Sequence, residues 1–65
     1  MIEILNSERL RIVNEIIFTI KNKNLDIETI CQHLYLEPNY FIQMLKYPNK
    51  KISEYLEMLD LVNSL

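Results

Sequence analysis

Sixty-five residues without a single glycine leave the chain few ways to reverse direction. Two-residue hairpins and phosphate-cradling loops both depend on backbone angles that glycine adopts without a steric cost. With only two prolines as further breakers, the chain is expected to be all-α, and a nucleotide-binding loop is not expected on the same ground. The length allows one domain, residues 1–65, at a size where a single core stabilises folding only marginally. Nearly half the residues are apolar, enough to build that core.

The order of apolar residues predicts a compact bundle of four short helices. Leu10, Val13, Ile17 and Ile20 recur at helical spacing between Glu8 and about Lys21. Ile12 and Ile16 form a second row beside them. The combined face is broad, so these two isoleucines are expected either at a homodimer contact or beneath an N-terminal arm. That arm is residues 1–6, where Ile2 and Ile4 alternate around Glu3, with Asn6 or Ser7 as cap of the following helix. Asparagines in Lys21-Asn22-Lys23-Asn24 stand where a helix-ending glycine is missing.

Asp26 suits the N-cap of a second helix, Ile27 to about Leu34, with Ile27, Ile30, Cys31 and Leu34 inward. A third helix, Pro38–Tyr47, starts with proline at a position where its missing N–H costs nothing. It buries Phe41, Met44 and Leu45 and shows Asn39, Tyr40, Gln43 and Lys46 outward. Ser53 is expected to cap a last helix, Glu54 to about Asn63, with Ile52, Tyr55, Leu56, Leu59 and Val62 toward the core.

Tyr35-Leu36-Glu37 thus joins two short helices, the arrangement of a helix-turn-helix. Such a unit needs a small buried residue at the helix crossing, an apolar turn residue and an apolar residue early in the second helix. Cys31, Leu36 and Phe41 meet these needs in order. Tyr35 stands where the motif places glycine, at a position that takes positive φ.

Net charge is −2, which by itself opposes binding to phosphate. Its distribution says more. From Pro38 to Ser53 there are three lysines, Lys46, Lys50 and Lys51, and no acid. The other four basic residues share the remainder with all nine acids, leaving it at −5. A globally acidic chain can still present one basic edge.

The segment around Pro38, Tyr40, Phe41, Leu45 and Lys46, followed by Ser53-Glu54-Tyr55-Leu56, resembles the first helix-turn-helix of AraC-type activators. The likeness spans about Glu8 to Val62, with one residue fewer in the intervening loop. Leu25, Asp26, Ile30, Cys31, Leu34, Leu36, Phe41 and Met44 fall at the capping and apolar positions of lambda-repressor/Cro-like domains, which the chain also resembles. Both resemblances imply a bacterial or phage DNA-binding regulator of transcription. AraC-type proteins carry two such units, so kinship implies a homodimer or a relic that no longer binds DNA.

On that reading Asn39 and Gln43 pair with adenine edges, Tyr40 meets a thymine methyl or a phosphate, and Lys46, Lys50 and Lys51 hold the DNA backbone. The rival expectation is a protein-binding module of the same shape, an inhibitor or adaptor, favoured by the acidic residues Glu54, Glu57 and Asp60. No catalytic, cofactor-binding or metal-binding residues are expected, because one cysteine and one histidine cannot complete a site and no acid–base pair has defensible geometry. His33 is expected to be solvated. A single cysteine and the absence of a leader or a spanning apolar run fit a cytoplasmic protein with no membrane partner.

Overall fold

Four helices follow one another among the described residues of the computed structural model: α1 (Ile2–Lys23), α2 (Ile27–Leu34), α3 (Pro38–Lys46) and α4 (Ile52–Ser64). The structure describes the backbone of residues 2–65 and the side chains of residues 6–65. The all-α bundle is as the sequence led one to expect. Twenty-two residues of α1 rise about 33 Å at 1.5 Å each, which accounts for the molecule's longest dimension of 35 Å. No helix among the described residues is long and apolar enough to cross a membrane.

α1 and α4 share the largest interface and run in the same direction. At one end Arg9 Nη1 donates to the carbonyl of Pro48, just before α4, at 3.5 Å. At the other, Lys23 Nζ donates to the carbonyls of Val62 and Asn63 at 3.1 and 2.6 Å. Those are carbonyls of the last turn of α4, which have no partner within their own helix, so a lysine at the end of α1 closes α4.

Between these ties lies the core: Ile12, Val13 and Ile16 of α1, Ile30 and Cys31 of α2, Phe41 and Met44 of α3, and Tyr55, Met58 and Val62 of α4. This corrects three expectations. Ile12 and Ile16 are 3% and 0% exposed within one chain, so they have no free surface to offer a dimer. Leu10 is 49% exposed, because α4 settles on the Ile12–Ile16 row and leaves Leu10 at the far edge of the apolar face. On α4, Met58 takes the inward place expected for Leu56, which is exposed.

Helix boundaries also shift. α1 is already helical from Ile2, so Asn6 and Ser7 lie inside it and cap nothing. Of the expected arm at residues 1–6, Met1 and the side chains of residues 2–5 lie outside the described residues. α4 begins at Ile52, which puts Ser53 in its first turn. The capping work falls to Glu54, whose carboxylate reaches back to accept the Lys51 N–H at 3.2 Å. This is one half of a capping box, and the ammonium of Lys51 has no lone pair to supply the other half.

Both inter-helix turns before α3 use the same device without glycine. Asn24 and Tyr35 adopt positive φ, 57° and 56°. The leucine after each turns its N–H back into the preceding helix, Leu25 to Ile20 O and Leu36 to Cys31 O, both at 3.0 Å. These are Schellman closures, and each drives a leucine into partial contact with the core. Asp26 then caps α2 as expected, accepting from Glu28 N at 3.4 Å.

Candidate nucleic-acid interface

α3 is short, and its orientation follows from which residues it must bury. Pro38 opens it behind an extended Glu37, and Phe41 and Met44 fix its inner side. Helical geometry then puts Asn39, Tyr40, Gln43 and Lys46 outside, and all four are exposed. Tyr47 stops the helix. It is the C-cap rather than a helical residue, with its N–H on Gln43 O at 2.9 Å.

The lysine-bearing loop that follows is held from beneath by Tyr55. A fourth-residue partner for the Met44 carbonyl would be the N–H of residue 48, but Pro48 has none. The fully buried Tyr55 supplies it, its hydroxyl donating to Met44 O at 2.9 Å and accepting from Lys50 N at 3.4 Å. One phenol therefore joins the end of α3 to the loop carrying Lys50 and Lys51.

Of the six residues expected to meet DNA, Tyr40, Gln43 and Lys50 come together. With Met44, Tyr47 and Asn49 they line an open recess of about 270 Å³. Lys50 Nζ lies over the Tyr40 ring, 5.7 Å from its centre, and Lys46 Nζ over the Tyr47 ring at 5.8 Å. Asn39 and Lys46 project from the neighbouring row of α3 and do not line the recess. Lys51 is exposed at the start of α4, also outside it. Sequence reasoning missed Tyr47 and Asn49 as members of this face. The available signal was Tyr47 standing seven residues, two turns, after Tyr40.

The basic face has an acidic border. On its other side Tyr40 shares a hollow of about 170 Å³ with Leu34, Leu36, Met44, Met58, Glu54 and Glu57. The two carboxylate residues of α4 thus limit how far a polyanion can spread from α3.

A larger open hollow of about 450 Å³ lies at the α2–α3 turn, lined by Glu28, Cys31, Gln32, Tyr35, Leu36 and Pro38. Cys31 is almost wholly buried at its edge. Burial, and secondarily the charge of Glu28, pushes its thiol pKa up, away from the reactive thiolate. Among the described residues no group of His, Cys, Asp or Glu is placed to hold a metal ion. His33 is exposed. Compared with known proteins, the chain matches no family model, no curated protein and no solved structure.

Proposed function

We propose that the chain is a small sequence-specific DNA-binding regulator of transcription, acting without catalysis in a bacterial or phage-infected cytoplasm, with α2 and α3 as its helix-turn-helix. The observation that carries this reading is the coincidence of the longest acid-free, lysine-bearing run with the exposed side of α3. An α-helix fits the width of the major groove, and Asn39 and Gln43 stand one turn apart on that side. The three-residue turn supports it too, since Tyr35 takes the left-handed conformation of the motif's usual glycine.

In this reading Asn39 and Gln43 read adenine, Tyr40 touches a thymine methyl or a phosphate, and Lys46, Lys50 and Lys51 bind phosphates. A second half-site calls for a homodimer. With Ile12 and Ile16 in the core, Leu10 and Phe18 are the exposed large apolar residues that α1 still offers to it among the described residues. Sedimentation that finds only monomer at high micromolar concentration would remove the dimer from the proposal.

A protein-binding role as inhibitor or adaptor is the second reading, and Glu54 and Glu57 beside Tyr40 are what favour it. Two substitutions test the DNA role. Gln43→Ala should relax sequence preference, and Lys46→Ala should weaken all sequences alike. Unchanged binding in both would show that α3 is not the reading element.

A further inference from the structure

We infer that the recess between Tyr40 and Tyr47 holds one unpaired nucleobase of a nucleic-acid strand. The inference rests on the nucleic-acid role of this face and adds to it the state of the base. Two tyrosines stand two helical turns apart, 43% and 62% exposed, so both rings offer stacking surface. The buried Met44 and the exposed Gln43 and Asn49 line the recess with them, and an amide side chain can both donate to and accept from a base edge.

Charge complementarity selects the occupant. Each ring carries a lysine ammonium over one face, so positive charge lies where the phosphates flanking a stacked base would run. Aromatic platforms beside a basic track are how proteins hold single strands, because every base has a π-face. The volume agrees: 270 Å³ is just below the roughly 300–1,000 Å³ of sites that enclose a whole small molecule. It suits one planar part of a longer ligand, presented by a strand that the lysines hold outside. Base pairing would keep that planar part in its stack, so the recess favours bulges, frayed ends or single strands.

The test uses the absence of tryptophan from the chain. Tyr47→Trp installs a single indole on the recess wall, and far-UV circular dichroism checks that the helices persist. The protein is titrated with a fully paired duplex, the same duplex carrying one bulged thymine, and the single strand. Binding to the bulge and the strand should be roughly tenfold tighter than to the duplex, the size of one aromatic–base stack, with indole quenching in those two alone. Tyr47→Leu should abolish the preference and leave duplex binding to the lysines.

Equal affinity for paired and bulged DNA, or binding without differential quenching, would overturn the inference and leave the DNA-binding role standing. Failure of all three ligands to bind at low salt would overturn both.

Discussion

Tyr55→Phe removes one oxygen atom, and the structure makes that a sharp test of how α3 and its basic loop are held. The aromatic ring stays, so apolar burial changes little and no cavity of methyl size opens. What is lost is the donor to Met44 O, a carbonyl that Pro48 deprives of its helical partner. Leaving a buried carbonyl unpaired costs about 1–3 kcal/mol. The Lys50 N–H is only partly buried, bonds at a longer 3.4 Å and can turn to water, so it adds little. A loss of about 2 kcal/mol is expected, against a total of about 3–10 kcal/mol for a domain of this length.

Urea unfolding followed by circular dichroism reads this directly. With a slope of about 1 kcal/mol per molar for so small a protein, the midpoint should fall by about 2 M with the slope unchanged. A loss below about 0.5 kcal/mol would show that Met44 O finds another donor and that Tyr55 holds the loop by packing alone.

Other substitutions test the turn, the core and the thiol. Tyr35→Gly should stabilise the fold by about 0.5–1 kcal/mol, because the side chain is 94% exposed and its backbone is left-handed; a loss of stability in urea would mean the tyrosine side chain matters more than the strain. Ile16→Val should cost about 1 kcal/mol whatever the protein concentration, whereas a cost that varies with concentration would place Ile16 at a contact between chains. Cys31 should resist aromatic disulfide reagents at pH 8 until urea unfolds the protein. Because its folded pKa is raised, its contribution to stability is complete below the unfolded thiol value of about 8.5 and is lost as pH rises toward the folded one. Rapid labelling of the folded protein would contradict that burial.

What the sequence disclosed well was local. Asp26, Asn24, Tyr35 and Pro38 act through their own backbone or that of residues a few positions away, so each was legible at its position. The side of α1 that faces inward was not. Its apolar residues cover two adjoining rows, and only the direction of α4, forty residues later, decides that Ile12 and Ile16 are covered and Leu10 is not. The same holds for Tyr55, which read simply as a core aromatic. Its hydroxyl gains a purpose only where Pro48 and Met44 O come to lie against it. For the candidate site, the sequence marked the outward residues of α3 but not the recess. Tyr47 follows from Tyr40 by helical spacing, whereas Asn49 and Lys50 join it only because Tyr55 holds the loop after Pro48 beside α3.

Salt dependence of duplex binding tests the role of α3 most directly. Each phosphate neutralised by a lysine should contribute about −0.9 to the slope of log affinity against log salt, so Lys46, Lys50 and Lys51 together should give about −2.7 per chain. Replacing all three by alanine, which removes no fully buried side chain, should bring the slope toward zero while the helices persist. A folded protein that binds no duplex at low salt, or one whose slope is indifferent to the triple replacement, would contradict the assignment of this face to DNA.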